Sequence, residues 1–524
     1  MSKLSSTINP PVFFTSAGLL ILLLGFSVIF PESAISFFGT IRGKILHHFS
    51  WFYILSTVIF FLFAVWIAQS PYGQIRLGTD DEKPVYSRFS WYAMLFAAGM
   101  GIGLVFYGVA EPMRHFMSPP LAESLSPQAR ERALSLTFHH WGLHAWAIYA
   151  VIGLSIAYFA HRHKHPLTLR SCFYPVLGDR VNGWMGHCID IIAVFGTLFG
   201  LATSLGVGAS SVSAGLHKVM GTPDTTNAQL VVIAVITLAA TVSLVTGVDK
   251  GIKRLSEANL VLATILLLFV FAVGPTTSML NQFVEATGMY FQDFIHRSFH
   301  MGVGDAKEAE WIQEWSVVYW GWWIAWAPFV GVFVAKISRG RTIRDFVLSV
   351  MLVPVAVTFI WFSIFGGGAL DQGVELAKLM NHIGETQSYD QANAIAVYSF
   401  LETLPLAMIL KGLAVVVVTI FFVSSSDSAS YVVDLLTSGG HEEPPTWQRI
   451  FWASAEGLTA GILLYVGGSD ILKGLKAGVV SFGLPFCALI LVMIYALLKA
   501  LKQETVHTTS SDSSDDIKIV PKDT

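Results

Sequence analysis

Charge is what this sequence is shortest of. Only 13% of its 524 residues are Asp, Glu, Lys or Arg, where soluble domains carry about 25%. There is no basic patch interleaved with polar residues, so no nucleic-acid partner is expected, and a formal net charge of −3 names no partner of its own. Cysteine is scarce too: Cys172, Cys188 and Cys487 are the only three. They lack metal-ligand spacing and read as small buried hydrophobes. No paired nucleophile and base occurs, and the nearest thing to a ligand cluster, His139, His140 and His144, reads as ordinary hydrogen-bonded residues. That argues against an enzyme, and the lack of a filter or charged-ring sequence argues against a channel. No small-residue cleavage pattern follows the first apolar run, which is expected to be a retained span and not a signal peptide.

What is present is apolar sequence. Hydrophobic residues make up 54% of the chain and fall into continuous runs of about twenty, the length a helix needs to cross roughly 30 Å of hydrocarbon. Twelve transmembrane helices are expected, near 12–30, 51–69, 90–112, 138–160, 187–215, 229–248, 258–280, 315–336, 346–367, 405–433, 449–467 and 475–499. The fifth and tenth are longer than a crossing requires, which implies tilt or breaks. The loops carrying Arg162, Lys164, Arg170 and Arg180, then Lys250, Lys253 and Arg254, then Lys336, Arg339, Arg341 and Arg344 are basic. The segments 281–314 and 368–404 are acidic and poor in Lys and Arg. The positive-inside rule then places both termini in the cytoplasm of a bacterial inner membrane. Phe283, Met289, Tyr290, Phe291, Phe294 and Ile295 recur at helical spacing, as in an amphipathic helix on the outer surface or in a structured loop. The Ser/Asp-rich run from Ser510 to Asp516 reads as part of a disordered tail.

Four stretches carry chemistry. Gly99, Gly101 and Gly103 alternate in the third span. They either loosen the helix so that its carbonyls face a cation or substrate, or let another helix pack close. In the eighth span Trp315, Tyr319, Trp322, Trp323, Trp326 and Phe329 fall within an arc of about 120° at about 100° per residue. A ring cluster of this kind holds a quaternary ammonium, which has no N–H to donate, by cation–π attraction at roughly 0.5–2 kcal/mol per ring. Trp141, Trp146 and Tyr149 of the fourth span would supply a second wall. Ser424, Ser425, Ser426, Asp427 and Ser428 of the tenth span offer oxygens to a hard cation such as sodium, or bond back to their own helix. A glycine-broken span opening one five-span group and an aromatic, Pro328-containing span opening the next point to an inverted repeat with a midplane site.

These residues resemble the betaine/choline/carnitine transporter family. The resemblance rests on Gly99-Met100-Gly101-Ile102-Gly103 with Glu111-Pro112, on the Trp141–Tyr149 segment and on Gly247-Val248-Asp249-Lys250-Gly251-Ile252. It rests also on Trp320-Gly321-Trp322-Trp323-Ile324-Ala325-Trp326-Ala327-Pro328-Phe329 and Ile337-Ser338-Arg339-Gly340-Arg341-Thr342-Ile343-Arg344. It implies an all-α polytopic membrane protein of the leucine-transporter type, two extra helices preceding two inverted five-helix repeats, assembled in the lipid as a homotrimer. The expected divisions are 1–85 for the cytoplasmic start and peripheral helices, 86–280 for the first repeat, 281–314 for an extracellular amphipathic connector, 315–500 for the second repeat and 501–524 for the tail.

By the same resemblance, Trp141, Trp146 and Tyr149 with Trp322, Trp323 and Trp326 would form a tryptophan box, with Trp320 nearer the access path. Sodium, the coupling ion in place of any cofactor, would be held by the carbonyls of Ala97, Met100 and Phe421 and by Ser424 and Ser425. A second sodium site would keep Thr197 and Phe329 but has Leu201 where the family has another threonine. The function implied is import of glycine betaine, with choline, proline or ectoine, by sodium symport for osmoprotection. The alternative is a proton-coupled, choline-specific importer. Such members carry aspartate at the position of Gly103, which favours sodium, whereas Ile8-Asn9-Pro10 and Thr15-Ser16-Ala17-Gly18 are closer to the choline branch. The tail is shorter and less basic than the helix of osmotically gated members, so weak or no osmotic activation by that route is expected.

Overall fold

In hydrocarbon a spanning backbone must satisfy its own N–H and C=O groups, and a chain of long apolar runs can do so only as helices. The computed structural model, which describes residues 8–99, 101–246, 249–441, 443–467, 471–507 and 518–521, follows that rule almost throughout. The helices used below are α1 (Pro10–Ile29), α2 (Pro31–Gln69), α3 (Arg88–Gly99), α4 (Ile102–Met117), α5 (Pro127–Trp141), α6 (Leu143–Ala157), α7 (Trp184–Met220) and α8 (Thr226–Thr246). They continue with α9 (Asp249–Val273), α10 (Thr276–Gln292), α11 (Val318–Ile337), α12 (Ile343–Gln372), α13 (Tyr389–Glu402), α14 (Ala407–Thr437), α15 (Thr446–Gly467) and α16 (Ile471–Leu501). Leu22, Leu62, Leu238 and Leu268 on α1, α2, α8 and α9 point outward, fully in the manner of lipid-facing residues. The protein is a multi-pass membrane protein.

Ten helical stretches among the described residues are long and apolar enough to cross a membrane, or eleven if Glu257–Val273 and Thr276–Gln292, bent by 108°, form one span. The expected twelve is therefore not reached on length and composition. The glycine span is one reason, because it is split into helices of 12 and 16 residues. The break falls at the glycines: α3 ends at Gly99, and Gly101 caps α4 in an extended conformation. The long fifth and tenth spans are instead the unbroken α7 and α14.

Two further expectations change. The eighth span does not break at Pro328; α11 runs through it, and its irregularity is a π-helical turn, Gln313–Val317, just before. The fourth span begins at Pro127 and is interrupted at Gly142. There a Cβ would lie 2.7 Å from the Tyr290 hydroxyl, and that hydroxyl accepts from Leu143 N over 3.1 Å.

Packing puts α11 at the centre, against α6, α7 and α16. A strap lies against the loop that follows α11. Residues 75–85 run beside the loop that follows α11, with Gly340 N donating to Leu77 O over 2.7 Å, Leu77 N to Arg341 O over 2.8 Å and Ile343 N to Ile75 O over 2.9 Å. Gly340 has φ +82° and faces Lys83 O, a place with no room for a side chain. The Arg341 guanidinium lies 4.4 Å from the Trp91 ring, and Trp91 Nε1 donates to Ser338 Oγ over 3.0 Å. That is the structural content of the Ser-Arg-Gly-Arg loop.

The tail, expected to be disordered from 501, starts with an anchored group. Glu504 accepts from Arg162 Nε over 2.7 Å and from Tyr158 over 3.0 Å, and Glu504–His507 pairs antiparallel with Lys518–Pro521. The Ser510–Asp516 run and the Gly247-Val248 pair of the family-like motif lie outside the described residues.

Candidate functional site

The aromatic arc of α11 meets the aromatic residues around the α5–α6 break. Trp141 closes α5, Trp146 and Tyr149 sit on α6, and all three face Trp323 and Trp326. Ring centroids are 4.8 Å apart for Trp141–Trp323, 6.4 Å for Tyr149–Trp323 and 5.5 Å for Trp146–Tyr149. The gap they enclose with Ala145, Val330 and Thr358 is only ≈ 30 Å³, room for about one water. The box is contracted in this conformation.

Trp322 stands on the other side of the wall. It stacks on Trp323 at 5.2 Å and 7° and faces a cavity of ≈ 590 Å³, large enough for a small solute. Tyr107, Trp315 and Tyr319 line that cavity too, with Arg114, Asn381 and Lys476 among its polar groups. The six expected box residues therefore divide, five around the contracted gap and one on the cavity side of a stacked indole pair. Trp320 lines neither space. It lies about 60° beyond Trp323 on the helix and packs on His139 and His144, 5.4 and 5.7 Å between centroids.

Indole N–H groups differ in how they are used. Trp323 Nε1 donates to His140 O over 2.9 Å, and Trp141 Nε1 to Glu111 Oε2 over 2.7 Å. Trp322 Nε1 and Trp326 Nε1 are buried without a hydrogen-bond partner. A site with electron-rich faces and free N–H donors can hold a cation and an attached carboxylate together.

Behind Trp141 sits a wholly buried carboxylate. Besides Trp141, Glu111 Oε2 accepts from the Tyr319 hydroxyl, while Oε1 lies 2.7 Å from His140 Nδ1 and 3.2 Å from His115 Nε2. His140 Nε2 is in turn 3.1 Å from Ser316 Oγ. Residues from α4, α5 and α11 thus share one hydrogen-bonded cluster, which fixes two walls of the site relative to each other.

Two glycines make the room. A Cβ at Gly103 would come within 2.8 Å of the Trp141 ring, and one at Gly200 of α7 within 2.5 Å of Trp326 Cδ1. Gly101 lies beside Ser425, whose Oγ would be 3.7 Å from a Cβ there. The glycine break and the serines of α14 are therefore neighbours. Phe421 O accepts from Ser424 Oγ over 3.2 Å, so carbonyl and hydroxyl are adjacent. Ala97 is in α3, and Met100 lies outside the described residues. For the second sodium site, Thr197 spends its hydroxyl on Ala193 O over 2.9 Å, and Leu201, one turn on, offers no oxygen. Phe329 packs on Trp326, centroids 5.3 Å apart.

Glu111, Tyr107 and Gly200 were not legible as site residues. Only Glu111 gave a signal, as an acidic group inside an apolar span.

A profile described as BCCT, betaine/carnitine/choline family transporter, matches residues 11–506. Glycine betaine transporter 1 of Vibrio parahaemolyticus is 44% identical over 510 residues, 96% of this chain and 96% of its own. The glycine betaine/proline/choline/ectoine transporter of the same organism is 42% identical over 510 residues, 96% of this chain and 89% of its own. The glycine betaine transporter of Bacillus subtilis is 40% identical over 489 residues, 93% of each.

Proposed function

The chain belongs to the betaine/carnitine/choline transporter family and is a transporter, not an enzyme; we propose that it is a sodium-driven symporter of the bacterial inner membrane that imports glycine betaine for osmoprotection. Choline, proline and ectoine are further substrates in this proposal. Both termini are cytoplasmic, and three copies assemble in the lipid. The observation that carries the reading is the aromatic box of α6 and α11 beside two unpartnered indole N–H groups. It suits a compact organic cation joined to a carboxylate, the chemistry that glycine betaine, proline and ectoine share. The substrates named for the full-length relatives point the same way.

Residues act in sequence. Solute enters the cavity lined by Tyr107, Tyr319 and Trp322, where these rings attract the cation. Separation of the Trp322–Trp323 pair from Trp141 admits the ammonium to the inner box. Trp326 Nε1 and Trp322 Nε1 then donate to the carboxylate. Sodium, co-transported as cargo, is held where Gly101 approaches Ser425, with Phe421 O and Ser424 as neighbours, and so links the broken α3–α4 span to α14. Each solute drives the conformational change only by its difference in affinity between outward and inward states. Thr197 and Leu201 favour one sodium over two.

Competition against uptake of labelled glycine betaine tests the substrate class. Unlabelled choline, proline and ectoine are expected to compete. Failure of unlabelled glycine betaine itself to saturate uptake would refute the reading.

A further inference from the structure

The ≈ 590 Å³ cavity beside Trp322 is lined by more than rings. Three acidic residues, Glu310, Glu314 and Asp390, and two cations, Arg114 and Lys476, share its wall. Glu314 is paired with Arg42. Arg114 is held differently: its Nε donates to Asn393 Oδ1 over 2.9 Å, and its guanidinium carbon lies 4.3 Å from the centre of the Tyr389 ring. Both partners come from α13, and neither is a carboxylate. Asp390 adds negative charge nearby, yet among the described residues Arg114 forms no ion pair and its two Nη groups make no hydrogen bond. A guanidinium fixed by an amide and a ring keeps N–H donors for a carboxylate, which it can grip through two parallel bonds.

Tyr107 stands seven residues before Arg114 on α4, so the two share one helix face, two turns and about 10 Å apart along the axis. Its ring belongs to a triangle. The Tyr107 centroid is 5.9 Å from that of Tyr319 and 5.9 Å from that of Trp322, and those two are 6.0 Å apart. A cation resting on the triangle is within about 6 Å of each ring, the range of cation–π attraction. A guanidinium–carboxylate hydrogen bond adds about 2.8 Å. A small zwitterion therefore bridges the face from Tyr107 to Arg114, whereas a cation without a carboxylate occupies the ring end alone.

We propose that Arg114 is a specificity-determining residue: in the larger cavity it binds the carboxylate of a zwitterionic solute whose cationic end rests on Tyr107, Tyr319 and Trp322. The proposal rests on the transport reading above and adds a step of selection before the inner box. Choline carries a hydroxyl where glycine betaine carries a carboxylate. It gains no ion pair from Arg114 and is repelled by its charge.

Initial-rate uptake of labelled glycine betaine and labelled choline into proteoliposomes tests this, because the ratio of their kcat/KM values measures the discrimination. Arg114→Gln is expected to lower kcat/KM for betaine by about tenfold or more and to leave that for choline unchanged or raised. Arg114→Lys, which keeps the charge, is expected to stay within about threefold of wild type for betaine. Lys476→Gln, at the other cation of the cavity, is expected to change the ratio less than Arg114→Gln does. If Arg114→Gln folds poorly, Asn393→Asp, which gives Arg114 a carboxylate of its own, is expected to lower the betaine value in its place. An unchanged betaine value in Arg114→Gln would overturn the proposal. So would an equal fall for both solutes, which would make Arg114 a support for α13 only. Where wild type does not carry choline, equal betaine losses in Arg114→Gln and Arg114→Lys overturn it. Wild type without saturable betaine uptake would defeat the transport reading as well; normal wild-type uptake with selectivity unmoved in Arg114→Gln defeats this proposal alone.

Discussion

Trp141 donates its indole N–H to the wholly buried Glu111 over 2.7 Å, so a carboxylate on one half of a broken helix sets the angle of a binding-site ring on another. Hydrogen bonds to a charged group contribute about 1.5–3 kcal/mol, and the same Glu111 oxygen also accepts from Tyr319. Glu111→Gln keeps the size but presents an amide to two donors. The apparent KM for glycine betaine is expected to rise about tenfold, measured by uptake kinetics in proteoliposomes. An unchanged KM would show that Trp141 holds its place without Glu111.

Trp323 and Trp326 form the α11 side of the inner box. At roughly 0.5–2 kcal/mol per ring, each Ala substitution is expected to weaken betaine affinity by about twofold to thirtyfold. Trp320→Phe, at a residue that lines neither space, is expected to change affinity far less. Equilibrium binding of labelled betaine to the purified variants separates the positions; equal effects at Trp320 and Trp323 would contradict the placement.

Gly103 faces Trp141 with no space for a methyl group, 2.8 Å to the ring. The indole is buried against Trp323 and bonded to Glu111, so it has little freedom to give way. Gly103→Ala is expected to cost at least tenfold in kcat/KM, a loss of about 1.4 kcal/mol. Gly18, with open space around its Cα, is the control, and Gly18→Ala should leave transport unchanged.

Outside the membrane, Glu504 ties the tail to Arg162. Burial works against its charge, but hydrogen bonds and charge from Arg162 outweigh that and hold the carboxyl below the usual range. A depressed carboxyl contributes stability that is full above its unfolded value, about 4.3, and is lost as pH falls through the folded value. Limited proteolysis is expected to leave the chain near residue 504 protected at neutral pH and to open it below about pH 4. Glu504→Gln should open it at neutral pH as well.

Local and periodic features were legible before the fold was. Run length announced the spans, and the α11 arc could be read because helical geometry repeats at a known angle. Residue type at Gly99, Gly101 and Gly103 left two readings open, a loosened helix or close packing, and the structure has the break at 99–101. What escaped depended on partners distant in sequence. Nothing near Gly200 reveals that Trp326 lies against it, nothing near Gly142 announces the Tyr290 hydroxyl, and Glu111 meets Tyr319 across 208 positions. Trp320 shares a motif with the box tryptophans, yet its angle on the helix turns it toward His139 and His144. Pro328 suggested a break that α11 does not have, because a proline within a well-packed helix need not end it.

The central claim is that sodium drives a betaine-sized ammonium through the box of α6 and α11. The most direct measurement is uptake of labelled glycine betaine into proteoliposomes at fixed pH and clamped potential, with external sodium or potassium. Saturable accumulation with sodium, lost in potassium and weakened in Trp323→Ala, is the predicted result. Equal accumulation in potassium would contradict it.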